Sequence, residues 1–195
     1  MSVEKFDAVA ETYSAADYAD AERYYARRAA VVASLVPRGA SVLDIACGDG
    51  GLGRHLLALG YDYRGVDASE RMVEVARRTL GDRVVLGGFD YVPPQPVEAT
   101  TIFRSLYLVP DRRAFFDHVA TFSRQVVFDF DPRAYDRDEL LRDLEGWDVD
   151  VRPFLTPQRG TLPSVVQRAL WALEPLPGAS ALTRVRFPLL VSATR

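Results

Sequence analysis

Residues 42–67 read VLDIACGDGGLGRHLLALGYDYRGVD. The run over residues 41–46 is short, aliphatic and free of breakers, which predicts a buried strand. It enters a turn carrying Gly48, Gly50, Gly51 and Gly53. From Gly51 the period changes: Leu52, Leu56 and Leu59 fall on one helical face, and Gly60 closes the helix. Residues 61–66 read as a second strand ending at Asp67. Strand, glycine turn, helix and strand form the repeating unit of a parallel α/β sheet. Glycines in the turn let a ligand approach the backbone and permit positive φ. A carboxylate at the end of the second strand can accept both hydroxyl protons of a ribose.

The segment Gly48-Asp49-Gly50-Gly51-Leu52-Gly53 satisfies the dinucleotide pattern GxGxxG, which alone is weak. Two ligand classes fit it: a nicotinamide or flavin dinucleotide, or a nucleoside without a diphosphate. Asp44 and Asp49 would both stand close to a bound diphosphate. Their charges favour the less anionic ligand.

The same alternation extends in both directions. Upstream, Ala21, Tyr25, Ala29, Val32 and Leu35 space a helix over residues 19–36, with Asp17 as its cap and Pro37-Arg38-Gly39 as its stop. Downstream, Ser69 caps a helix whose stripe is Met72, Val75, Ala76 and Leu80. Strands are predicted over 84–86, 100–103 and 126–130, with helices over 112–122 and 136–144. The last third reads as strands 147–155 and 182–193, joined by a proline-rich connection with a short helix at 165–173. Pro188 places the final strand at an edge or a bulge. The expected fold is α/β: a doubly wound, mostly parallel seven-stranded sheet with an antiparallel last strand. One domain spans residues 1–195, with residues 1–38 as a helical lid segment and 39–195 as the α/β core.

Composition narrows the function. The chain has 24 basic and 27 acidic side chains, and Lys5 is the only lysine. A net charge of −3 with no basic arm argues against a nucleic-acid partner. No apolar run approaches the roughly 18–20 residues of a membrane helix, and the N-terminal residues lack a secretory apolar region. The single cysteine, Cys47, rules out an internal disulfide. A cytoplasmic protein is expected.

On these motifs the chain resembles the class I S-adenosylmethionine-dependent methyltransferases of small-molecule type. The family's first motif, Asp-x-Gly-x-Gly-x-Gly after an apolar pair, appears as Val42-Leu43-Asp44-Ile45-Ala46-Cys47-Gly48-Asp49-Gly50, with Ala46 in place of a glycine. The second matches Gly65-Val66-Asp67-Ala68-Ser69 followed by Met72. Phe6-Asp7-x-x-Ala10-x-x-Tyr13 looks like the lid segment of such enzymes. The resemblance implies a Rossmann-like methyltransferase fold, S-adenosyl-L-methionine as cofactor and a small-molecule acceptor. It implies that Tyr13, Asp44, Ala46, Cys47, Gly48, Gly50, Asp67, Ala68, Met72, Phe89, Asp90 and Arg104 bind the cofactor. Asp67 would hold the ribose, and Phe89 or Asp90 would face adenine. The third motif, Gly88-Phe89-Asp90-Tyr91, departs from the family's Gly-Asp. The fourth, ending in Phe103-Arg104-Ser105, has no acid at the strand end. It also lacks the Asn/Asp-Pro-Pro-Tyr signature of nucleic-acid amino methyltransferases. A monomer or homodimer is expected, with no nucleic acid, membrane or metal.

No general base stands out. His55 and His118 fall beside apolar helix faces and read as structural. Cys47 lies where the turn needs a small apolar residue. Tyr13 and Arg104 are the catalytic candidates. Arg104, at the carboxyl end of a strand, can pair with a substrate carboxylate or phosphate, or else with a local acid. The competing readings are a cofactor-binding protein without methyl transfer and an NAD(P)-dependent oxidoreductase.

Overall fold

A computed structural model describes residues 3–133, 136–157, 162–174, 176 and 187–195. Three N-terminal helices, α1 (Val3–Val9), α2 (Tyr13–Asp17) and α3 (Ala21–Leu35), precede the sheet. Asp20, not Asp17, caps α3, accepting from the Arg23 amide. Asp17 instead ends α2, because the chain turns between Tyr18 and Asp20 before α3 begins. The alternation that follows is β1 (Ser41–Ile45), α4 (Gly51–Ala58), β2 (Asp62–Asp67), α5 (Glu70–Leu80), β3 (Val84–Leu86), β4 (Val97–Ile102), α6 (Arg112–Val119) and β5 (Ser123–Phe130). It closes with α7 (Arg137–Asp143), β6 (Asp148–Pro153), α8 (Ser164–Leu173) and β7 (Leu189–Thr194).

The seven strands lie in the order β3-β2-β1-β4-β5-β7-β6. All pairings are parallel except those of β7, which runs antiparallel to both β5 and β6. β7 is therefore an interior strand, and β6 forms the edge. Pro188 does not break β7; it precedes the strand, and its carbonyl accepts from the Phe154 amide. Residues 182–186 of the predicted last strand lie outside the described residues.

Strand parity divides the core. Val42 and Val127 face the layer of α3, α4 and α5, where Val32, Leu56 and Ala76 are buried. Leu43, Val126 and Phe128 face α6 and α7, against Phe116 and Leu140. Successive strand residues point to opposite faces, so one sheet feeds both layers. The chain starts at β1 in the middle, winds outward to β3, and then returns to β4. The switch between β1 and β4 opens a crevice at the carboxyl ends of these strands, where ligands of such sheets bind. Among the described residues no helix is long and apolar enough to cross a membrane.

Candidate functional site

The carboxyl ends of β1, β2, β3 and β4 open on one cleft of about 750 Å³, solvent mouth included. Ile45 ends β1, with Ala46 and Gly48 in the turn after it; Asp67 ends β2, followed by Ala68 and Ser69, and Met72 comes from α5. Gly87, Gly88 and Phe89 follow β3, and Ser105 and Leu108 follow β4. Val3, Phe6 and Tyr13 close the open side from α1 and α2. Apolar side chains dominate this wall, and Asp67 is its only charged residue among the described residues.

The turn after β1 is shaped for close approach. Gly48 and Gly50 have φ of +59° and +78°, and Ala46 accepts the same left-handed region at +57°. Ala46 and Gly48 thus present little more than backbone to the cleft. Gly50 faces away: a Cβ there would meet Leu80 at 2.5 Å, so it seats α4 on α5. Asp67 is held by the Gly48 amide at 2.7 Å and the Ser69 amide at 2.9 Å, one to each oxygen. Each oxygen keeps a further acceptor site for a ligand hydroxyl. Burial raises the Asp67 pKa, and these amides oppose that shift.

Seven of the expected cofactor residues line the cleft: Tyr13, Ala46, Gly48, Asp67, Ala68, Met72 and Phe89. Five do not. Asp44 shares the strand parity of Val42 and lies beneath the turn, accepting from Tyr63 Oη at 3.1 Å and Thr101 Oγ1 at 2.6 Å. Burial pushes its pKa up to about 6, although both hydrogen bonds favour the charged form. The Cys47 thiol is buried against Gly65 and Tyr63, and burial raises its pKa, so no thiolate is available. Gly50 is structural, and Asp90 points to solvent. Arg104 stands just past the cleft wall, its amide donating to Asp129 Oδ1 at 2.6 Å.

The histidines are accounted for elsewhere. His55 Nε2 lies 3.1 Å from Glu22, and His118 Nε2 lies 3.3 Å from the Tyr91 carbonyl. Sequence reasoning missed Val3 and Leu108, which carry no motif, and Ser105, which it read only as part of the fourth motif. It read Ser69 as a cap at the end of the second motif. The serine does accept from the Met72 amide, but its Oγ also donates to Asp7 at 2.6 Å.

That bond is one of several that hold the N-terminal helices over the cleft. Glu11 pairs with Arg71 and Arg78 on α5. Asp49, in the glycine turn, accepts from Ser14 and, at 3.1 Å, from Tyr25. Tyr13 is thereby fixed at the cleft wall, its ring edge-on to Tyr18. Burial raises its phenol pKa, so it stays protonated.

Residues 42–125 match the family described as "Methyltransferase domain". No curated protein matches the chain. Among solved structures, the methyltransferase in complex with the Haloferax volcanii Trm112 methyltransferase activator is 18% identical, with a TM-score of 0.68 over 97% of this chain and 96% of that one. A TehB-like SAM-dependent methyltransferase from Corynebacterium glutamicum is 20% identical, with a TM-score of 0.63 over 87% and 88%. Magnesium protoporphyrin IX methyltransferase from Synechocystis, solved with bound SAM, is 18% identical, with a TM-score of 0.61 over 89% and 79%.

Proposed function

We propose that this chain is a class I S-adenosylmethionine-dependent methyltransferase, a reading that its domain match and its fold support, and that it methylates a small-molecule acceptor. The observation that carries this reading is the single carboxylate in an otherwise apolar cleft. Asp67 suits a ribose and a cationic ligand, whereas among the described residues no cation lines the cleft to hold a diphosphate. That favours S-adenosylmethionine over NAD(P). The bound SAM and SAH of the structural neighbours support the same choice.

The residues present fit this cofactor. Asp67 would accept the ribose hydroxyls, with Ala68, Met72 and Phe89 against adenine. Ala46 and Gly48 would admit the methionine end beneath Tyr13. Once bound, the cofactor supplies a methyl group already activated on a sulfonium. The protein's task is then to align the acceptor and exclude water. Val3, Phe6 and Tyr13 cover the cleft for that purpose. The protonated Tyr13 can donate a hydrogen bond but not accept a proton, so an acceptor that is already an adequate nucleophile fits best. A cleft closed by short helices suits a small acceptor. The lone buried thiol fits a cytoplasmic setting.

The test is S-adenosylhomocysteine release from S-adenosylmethionine across panels of phenols, amines and carboxylic acids. Release that depends on one small-molecule class supports the reading. Cofactor binding with no release against any panel would favour the second reading, a binding protein without transfer. The missing acid after β4, where Phe103 and Arg104 stand, is the observation on that side.

A further inference from the structure

Among the described residues only two non-glycine residues have positive φ: Ala46, in the cleft wall, and Arg104 at +60°. Strain at an arginine needs an anchor. It has one in Asp129, whose Oδ1 accepts the Arg104 amide at 2.6 Å. The guanidinium of Arg104 makes no ion pair within 4 Å among the described residues. It acts electrostatically on the Tyr13 phenol, which lines the cleft, and its neighbour Ser105 is itself in the wall.

Behind this residue lies a second arginine. Arg28 of α3 is 3% exposed. Its guanidinium packs on the rings of Tyr24 at 4.5 Å and Phe103 at 4.9 Å, with Tyr18 at 5.9 Å. Nε and Nη2 have no hydrogen-bond partner. The nearest carboxylate oxygen, Asp129 Oδ2, is 3.6 Å from Nη2, beyond hydrogen-bond length. A buried guanidinium with orphaned N–H groups is costly unless it serves a ligand. Asp129 thus meets the Arg104 backbone through Oδ1 and the Arg28 guanidinium through Oδ2, and Arg28 also acts electrostatically on Asp44. Of the other acids nearby, Asp131 is engaged by Arg133 at 2.8 Å and also interacts electrostatically with Arg104, and Asp17 faces Tyr13 from α2.

We propose that the rim of the cleft beyond Ser105 selects an anionic small molecule, a carboxylate or a phosphate ester, which pairs with the Arg104 guanidinium. This rests on the methyltransferase reading and names its acceptor class. The Tyr13 ring in the cleft wall suits a planar body attached to the anion.

Benzoate, phenyl phosphate and neutral benzamide are titrated calorimetrically into the protein, alone and with saturating S-adenosylhomocysteine. Benzoate or phenyl phosphate binds at least about tenfold more tightly than benzamide, and whichever of the two wins identifies the anion. Arg104→Gln abolishes that preference while S-adenosylhomocysteine still binds. Asp129→Asn keeps an acceptor for the Arg104 amide but removes the competing charge, so anion affinity rises several-fold. A merely structural Arg28–Asp129 pair predicts a lower melting temperature with unchanged anion affinity. Equal binding of all three probes, or binding of none, overturns the proposal while leaving the cofactor reading intact. Failure of S-adenosylhomocysteine to bind overturns the cofactor reading, and the titrations of the protein alone then decide the anion site independently.

Discussion

Asp67 and Asp44 are both carboxylates at the carboxyl ends of neighbouring strands, yet their environments set them to different work. Asp67 faces the cleft with one backbone amide on each oxygen and acceptor capacity to spare. Asp67→Ala should weaken S-adenosylhomocysteine binding by about 1.5–3 kcal/mol, the scale of hydrogen bonds to a charged group; unchanged affinity in a calorimetric titration would contradict the ribose assignment. Asp44 faces the helical layer with Tyr63 and Thr101 as its partners. Its folded pKa of about 6 lies above the unfolded value of about 4. The folded state therefore holds the proton more tightly, and Asp44 costs stability as pH rises through that window. Asp44→Asn should remove this component, so the difference in denaturant midpoint between variant and parent shifts in the variant's favour as pH rises. A difference independent of pH would show that Asp44 does not titrate there. The sequence could not separate the two acids, because motif spacing gives a position along the chain but not what packs beneath a turn. Parity with Val42 was the available signal. The same limit hid Ser105 and Leu108, which enter the cleft only because the chain turns back after β4.

At the scale of elements, the helix α4 is tied to its neighbours by glycines that ring side chains exploit. A Cβ at Gly51 would lie 2.2 Å from the Tyr25 ring, and one at Gly53 would lie 2.4 Å from the Tyr63 ring. Gly53→Ala should cost about 1–3 kcal/mol by overpacking, measured as a drop in denaturant midpoint. A neutral result would mean that Tyr63 can leave its place beside Asp44. The N-terminal helices behave differently, since α1 buries no side chain and is held by polar contacts. Asp7→Ala removes the acceptor for Ser69 Oγ and should speed S-adenosylhomocysteine release about two- to tenfold in stopped-flow measurements, with little change in global stability. An unchanged release rate would mean that these helices do not gate the cleft. Periodicity revealed α3 through α6 to within a few residues, because each buries an apolar stripe; α7 and α8 were also placed, although α7 buries only Leu140 and α8 only Gln167. It did not resolve α1 from α2, whose short helices carry no buried stripe to reveal them.

At the scale of the molecule, the switch between β1 and β4 decides where a ligand can sit. The alternation of strands and helices made that arrangement readable. The place of β7 between β5 and β6 was less so, because Pro188 suggested an edge and pairing of distant strands leaves little local trace. All four strands nearest the switch send their carboxyl ends to the cleft with Asp67 as its one charge. The central claim is that this cleft accepts a nucleoside sulfonium rather than a dinucleotide. Calorimetric titration of the purified protein with S-adenosylhomocysteine, with NADH alongside, tests it most directly. The account predicts micromolar binding of S-adenosylhomocysteine and none of NADH; binding of NADH alone, or of neither, would contradict it.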